Sequence, residues 1–335
     1  MEANLISRRS ALRLGGSFAL AAAFRLKGLA AAETDPIIDV HHHYFAPSWM
    51  AKRKKEILES GGAKFYTTSP YTPQADIEAM DKAGCKTSIV SCGGPGVWNG
   101  DVESSRVVTR EVNDFGAGMV RDFPGRFGLF ASLPLPDTDG SLKEIEYAYD
   151  TLKADGIGLW SNFDGRFLGD PGFAPVYEEL NRRKAVVYVH PKVTSDLNDA
   201  ADPLRALGIT WQNTARTVIS LLNSGTLTRF PDVRFIFSHG GGLFPMLAPR
   251  IAGNSPEKMA ALRGLYVDIA QMSANPGVWA ALRAFAAPTH IMFGSDYPYA
   301  VEGMQQGLGR MEVTATEAVA IRHGNAEKLF PRLRA

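Results

Sequence analysis

The chain has 335 residues, of which 45% are hydrophobic and 21% charged. These are the proportions of an ordinary soluble globular protein and exclude disordered, collagen-like and coiled-coil architectures. With 36 basic against 35 acidic residues the net charge is +1, so no whole-molecule field exists to grip a nucleic-acid backbone or to spread the protein on an anionic membrane.

The length suits two domains of about 150 residues each or one α/β barrel of roughly 250 to 300, and the order of elements decides between them. Residues 1–32 differ in kind from the rest: Arg8, Arg9, Arg13, Arg25 and Lys27 face only Glu2, a local +4 against −3 for the remainder. Basic residues, the 11-residue apolar run Leu14 to Phe24, then Gly28-Leu29-Ala30-Ala31-Ala32 follow the order of a cleaved export signal. The Arg8-Arg9 pair resembles a twin-arginine signal, with Ala11 where a larger apolar residue is usual. The apolar run is too short to span a bilayer, so the expectation is a periplasmic protein with no membrane segment in its mature form. The competing reading of this stretch is an amphipathic helix belonging to the fold.

From Pro36 onward short apolar runs alternate with longer amphipathic ones. Expected strands are Ile37 to His43, Thr87 to Cys92, Phe127 to Leu133, Gly156 to Ser161, Ala185 to His190, Val233 to His239, Gly264 to Ala270 and Ile291 to Asp296. Helical patterns at Ser105 to Phe123, Leu142 to Ala154, Pro175 to Lys184, Asn213 to Asn223 and Pro276 to Ala286 allow every connection to be a parallel crossover. The fold class this implies is α/β, a single (β/α)₈ TIM barrel over residues 36–330; a doubly wound open sheet is disfavoured because no GxGxxG turn follows the first strand. A long insertion, residues 44–73, follows the first strand, either as a functional loop or as a solvated excursion. Cys85 and Cys92 flank one strand, where about 3.3 Å per residue carries them beyond the roughly 7 Å limit for a disulfide. Both read as free, buried thiols.

Barrel active sites form at the carboxyl ends of the strands, and polar residues collect there. The first strand closes on Asp39-Val40-His41-His42-His43, the fifth on His190-Pro191, the sixth on His239 before Gly240-Gly241-Gly242, and the eighth on Asp296. Strand alternation puts His41 and His43 on one face and His42 on the other. Imidazoles with a carboxylate suit Zn²⁺ or a related first-row divalent ion. Asp39 shares the parity of His41 and His43 and reads as an acid orienting them, or as a ligand; Asp268 is a weaker candidate for the interior. His290 and His323 receive no function. Trp98, Trp160, Phe163 and Trp211 lie near strand ends and are candidates to wall a flat pocket, Trp211 being the one best explained by packing.

The motifs DVHHHYFAP, VYVHP, FIFSHGGG, FGSDYP and GNAEKLF, spanning about residues 37–330, together resemble the amidohydrolase superfamily. The branch they resemble contains aminocarboxymuconate semialdehyde decarboxylase and the resorcylate-type decarboxylases. GPGVWNGD, FASLPLPD, DTLKADGIGL and FAPVYEELNRRKAVVYVHP are similar to its 6-methylsalicylate decarboxylase group. The resemblance implies a divalent ion, zinc or else manganese, held by His41, His43, His190 and Asp296, with His239 beside it as acid/base. Strand four, Gly158-Leu159-Trp160-Ser161, offers no lysine to carbamylate, which implies a single ion rather than two. The resemblance further implies an arginine holding the substrate carboxylate, for which Arg53 and Arg166 are candidates; relatives of this kind are often dimers, and no sequence patch singles out a homodimer face here.

The activity expected on this resemblance is non-oxidative decarboxylation of a small aromatic, hydroxybenzoate-like acid, with Asp296 or His239 supplying the proton. The same ligands serve the alternative, hydrolysis of a lactone, ester or amide by a metal-activated water. A non-catalytic periplasmic binding protein for small acids or metal is the third reading, disfavoured because binding alone needs no acid/base pair.

Overall fold

The computed structural model describes residues 35–55, 71–192, 203–272, 276–300, 308 and 311–334. The expected export signal lies outside these residues, as do 56–70 of the long first insertion. Eight parallel strands form the main sheet in the order β1 (Ile37–Tyr44), β2 (Cys85–Cys92), β3 (Phe127–Ser132), β4 (Gly156–Trp160), β7 (Val186–His190), β8 (Arg234–Phe237), β9 (Tyr266–Asp268) and β10 (Ile291–Met292). The two remaining strands, β5 (Asn162–Phe163) and β6 (Arg166–Phe167), make a separate antiparallel hairpin after β4. Backbone bonds close the cylinder: Val40 N donates to Phe293 O (3.0 Å), Asp296 N to His41 O (2.8 Å) and His43 N to Tyr297 O (2.9 Å). The expected (β/α)₈ barrel is the fold.

Helices cover the outside, and their ends follow from local chemistry. The helix Pro73–Ala83 starts where Thr72 Oγ1 accepts from Ala75 N and ends at Gly84 in the left-handed region at φ +68°, the conformation that favours glycine at a helix end. Val102–Asp122 starts at Asp101, whose carboxylate accepts from Ser104 N, a charged N-cap that also suits the positive end of the helix dipole. Among the described residues no helix is long and apolar enough to cross a membrane.

The apolar residues divide into two cores. The larger lies between strands and helices; the smaller fills the cylinder with Ile38, Val40, Ile89, Phe130, Tyr188 and Ile236. Phe330 and Leu333, from the last turns of the chain, join the inner core, and Phe330 meets Phe130 edge-on with centroids 5.7 Å apart. The C-terminal segment thus stoppers the end of the barrel opposite the site.

Several boundaries differ from the sequence expectation, each for a physical reason. β8, β9 and β10 are shorter than expected: after Phe237 the chain turns into a 3-10 turn, His239–Gly241, and after Met292 it runs beside β1 without regular pairing. The helix expected from Leu142 begins at Thr138, capped by Asp137, and its last turn, Tyr147–Thr151, is π-helical. The helix expected from Asn213 begins at Pro203, and two helices, Phe244–Ala252 and Pro256–Arg263, fill the connection from β8 to β9. Cys85 and Cys92 are free and buried as expected, and burial raises both thiols to about 12.

The most consequential difference is inside β1. Asp39 pairs with Ser88 but His42 pairs with Val90, a bulge of one residue, and a bulge reverses which side chains face inward beyond it. Ile38 and Val40 point into the barrel below it and His41 and His43 above it, whereas Asp39 shares the outer face with His42. The expectation that Asp39 would sit in parity with His41 and His43, orienting their rings or ligating, is therefore corrected: the bulge moves its carboxylate to the other side of the strand.

Replacing the stopper ring, Phe330→Ala, should cost about 3 to 5 kcal/mol, the usual loss for emptying a buried phenylalanine site. A clear fall in urea midpoint with retained metal content is the expected readout; an unchanged midpoint would refute the plugging role.

Candidate metal centre

Side chains from four strand ends meet at one point. His41, His190, His239 and Asp296 each present one donor atom within 4.8 Å of the others. His41 Nε2 and His43 Nε2 are 3.0 and 3.1 Å from Asp296 Oδ1 and 3.2 Å from each other. His190 Nε2 lies 3.9 Å from Oδ1, and His239 Nε2 3.9 Å from Oδ2.

Each ring is aimed by its other nitrogen. His41 Nδ1 faces Asp268 Oδ2 at 2.9 Å, His43 Nδ1 faces Ser91 Oγ at 3.3 Å, His190 Nδ1 faces Pro191 O at 2.9 Å and His239 Nδ1 faces Ala270 O at 3.4 Å. With Nδ1 engaged outside the cluster, the Nε2 atom of every ring points inward, the orientation that metal-binding imidazoles require. Donors held at about 2.0 to 2.1 Å from one ion lie roughly 3.0 to 3.4 Å from one another, which matches the His41, His43 and Asp296 triangle. His190 Nε2 is shielded from solvent and makes no hydrogen bond among the described residues, a cost that a metal bond removes. The residues fit a single divalent ion.

Electrostatics agree. Burial would lower His41, but the Asp268 and Asp296 carboxylates outweigh it and hold the imidazole up at about 10, so an ion bound here would displace a proton from His41 Nε2. Burial keeps His43, His190 and His239 down at about 4, which leaves them neutral donors at neutral pH. Burial opposes ionisation of Asp296, yet the surrounding imidazoles hold it well below the usual carboxylate range.

Asp39 serves the cluster through the backbone. Its Oδ1 accepts from His41 N (2.9 Å) and Ser295 N (3.0 Å), and its Oδ2 accepts from Ser295 Oγ (2.6 Å). His42 faces the helices as expected. It sits between Asp39 and Asp76, with Nδ1 3.5 Å and Nε2 3.3 Å from their carboxylates, and stacks on Tyr297; burial would lower it, but these carboxylates raise it to about 9.

Asp268, the weaker candidate, proves to be the acid behind His41. Its other oxygen accepts from His239 N and Ala270 N, both at 2.9 Å, so one carboxylate aims two histidines. Gln271, which no sequence motif marks, joins the site: its Nε2 donates to Asp296 Oδ2 at 2.7 Å. Only the inward parity of Asp268 on its strand was available as a signal, and for Gln271 there was none.

Of the candidate pocket residues, Trp160 meets the His190 ring edge-on with centroids 5.0 Å apart. It closes against the loop after β2, where a Cβ on Gly96, at φ +85°, would run into the indole. A cavity of about 10 Å³ lies among His190, Trp160, Ser91, Ser132 and Gly158, room for about one water. Trp98 Nε1 donates to Asp164 Oδ2 at 2.7 Å and its carbonyl accepts from buried Arg53 at 3.2 Å. Arg166 instead holds Asp170 with two bonds of 3.0 and 2.8 Å and lies over the Phe173 ring, so its guanidinium is engaged by the turn that follows the hairpin. Phe163 belongs to the outer core, and Trp211 offers its carbonyl to Leu243 N at 3.4 Å. His290 stacks on Tyr266 and His323 pairs with Glu327, both outside the cluster.

A closed parallel barrel with histidines and an aspartate converging at its carboxyl mouth defines a metal-dependent barrel enzyme. The family model described as amidohydrolase matches residues 38–332, and the chain belongs to that family. It is 37% identical over 329 residues to a decarboxylase, macB, of Penicillium terrestre, covering 89% of this chain and 95% of that one. It is 35% identical over 319 residues to a 6-methylsalicylic acid decarboxylase of Penicillium expansum, covering 89% and 97%. Among solved structures, a dihydroxybenzoic acid decarboxylase from a Polaromonas species, with bound manganese and the inhibitor 2-nitroresorcinol, superposes with a TM-score of 0.79 at 19% identity, covering 90% and 98% of the two chains. The chain is a carboxy-lyase of the amidohydrolase superfamily.

Asp268→Asn keeps an oxygen for the two backbone donors but sets an amide against His41 Nδ1. Metal affinity should fall about 10- to 100-fold, as for other residues that orient a ligand, measured by competition with a chromogenic chelator. Wild-type affinity would show that Asp268 does not orient His41.

Proposed function

We propose that this chain decarboxylates a small hydroxybenzoate-like acid without a redox step, using one divalent ion, zinc by preference with manganese as the alternative, after export to the periplasm by residues 1–32. The observation that carries the reading is the one such donor cluster among the described residues, in which Asp296 turns Oδ1 to His41 and His43 and Oδ2 to Gln271 and His239.

His41, His43, His190 and Asp296 would hold the ion, with His239 beside them. When bound, it supplies Lewis-acid polarisation of the substrate carboxylate and of an oxygen ortho to it. Trp160 limits the depth to which a flat ring enters and keeps water from its inner face, while Arg53, buried against Trp98, adds positive charge at the rim. Cleavage of the bond between ring and carboxylate leaves its electron pair on the ring carbon and releases CO₂. His239 Nε2 and Asp296 Oδ2 are unprotonated at rest, so one of them first takes up a proton from solvent or from the substrate hydroxyl and then passes it to that carbon, solvent supplying the one proton consumed per turnover. Both groups lie in a buried, low-dielectric setting where such transfer is effective. Manganese in the Polaromonas relative supports a first-row ion, and the nitrogen-rich donor set favours zinc.

Metal-loaded protein incubated with salicylate, 6-methylsalicylate and 2,6-dihydroxybenzoate should release CO₂ from at least one. Asp296→Asn and His239→Ala should each lose about 100-fold or more in kcat, the scale of a missing acid/base. Hydrolysis of a lactone or amide with no CO₂ would reverse the reading. Elemental analysis identifies the ion, and a mature N-terminus near Ala32 in a periplasmic fraction tests the export proposal.

A further inference from the structure

The two oxygens of Asp296 stand in different surroundings. Oδ1 lies 3.0 and 3.1 Å from His41 and His43 Nε2 and faces the donors. Oδ2 has His239 Nε2 at 3.9 Å, beyond hydrogen-bond reach, and receives a bond of 2.7 Å from Gln271 Nε2. A carboxylate torsion is broad and nearly two-fold; His41 and His43 restrain it through Oδ1, and the Gln271 bond restrains it from the Oδ2 side.

The backbone is bent to make the contact. Gln271 has φ +59° and Asp296 φ +62°, a region that non-glycine residues enter rarely and at a cost, typically where function demands it. Asp296 is fixed from its own side, its N–H bonded to His41 O at 2.8 Å and its carbonyl accepting from Ala300 N at 3.0 Å. Gln271 is solvent-exposed as a residue while its amide reaches a buried carboxylate, so it contributes little to the core and lies on the mouth side of the acid.

We infer that Gln271 is a positioning residue for the reaction: its amide fixes Asp296 so that one oxygen serves the metal donors and the other faces the entering ring. The activity arm of the test rests on the decarboxylase reading above. A neutral donor is required, which separates this role from simple packing. Gln271→Glu preserves shape but sets a carboxylate against Asp296; Gln271→Leu preserves bulk and removes the donor; Gln271→Gly removes the amide while relieving the left-handed backbone.

Three measurements decide it on metal-saturated protein: kcat and KM for CO₂ release, the visible bands of the cobalt-loaded form, and the melting temperature. The Glu and Leu variants should each lose at least tenfold in kcat with KM changed less than about threefold, in line with losses at ligand-orienting residues. Both should shift the cobalt bands, because a released carboxylate changes the ligand field. The Gly variant should lose kcat equally while melting no lower than wild type. A Glu variant with wild-type kcat and bands, or losses confined to KM, would overturn the inference. Wild-type protein that releases no CO₂ would defeat the decarboxylase reading instead, and the cobalt bands would then decide the role of Gln271 alone.

Discussion

The site depends on the seam where the first and last barrel strands meet. One buried carboxylate, Asp39, joins them by accepting from the backbone of His41 on one side and from the backbone and hydroxyl of Ser295 on the other. A carboxyl group with three good donors is satisfied even in a dry interior. By fixing residues 41 and 295 it fixes the chain carrying His43 and Asp296, more than 250 residues apart in sequence. The β1 bulge makes this geometry available, turning His41 and His43 inward while Asp39 stays behind the strand.

Charge around this seam is layered. Asp296 and Asp268 flank His41 within the barrel, and Asp39 and Asp76 flank His42 outside it. The Asp39 and Asp76 carboxylates raise His42 to about 9, and they meet it on the face of the strand turned away from the donors at the mouth. Inside, the Nε2 atoms of His41 and His43 and one oxygen of Asp296 gather within 3.2 Å of one another, with His190 Nε2 3.9 Å from that oxygen. His239, Gln271 and Asp296 all sit at positive φ. Three non-glycine residues in this conformation within one site show where the fold gives up backbone comfort to aim side chains.

Much of this was legible beforehand. The eight apolar runs are real strands because each is buried on both faces, which leaves an almost continuous apolar signature. The histidines stood out because His41, His43, His190 and His239 close such runs at one end. Asp39 was misjudged because alternation counts residues and cannot see a bulge, which arises when β1 must pair with β2 and also meet the irregular chain after Met292. Arg166 looked available because it follows β4, but Asp170, four residues on, claims its guanidinium. Gln271 carried no sequence signal at all, since its position depends on a left-handed turn whose partner lies 25 residues away.

Residue order alone determined the strand-helix alternation, the apolar content of the strands and the kinds of donor at their ends, since these follow from periodicity and side-chain chemistry. Tertiary structure decided which way each donor faces and what stands behind it: the bulge, the closure of β1 against the chain before Asp296, and the acids and amide that aim His41 and Asp296. Those choices come from long-range backbone pairing and mutual exclusion of volume, which no local stretch of sequence encodes.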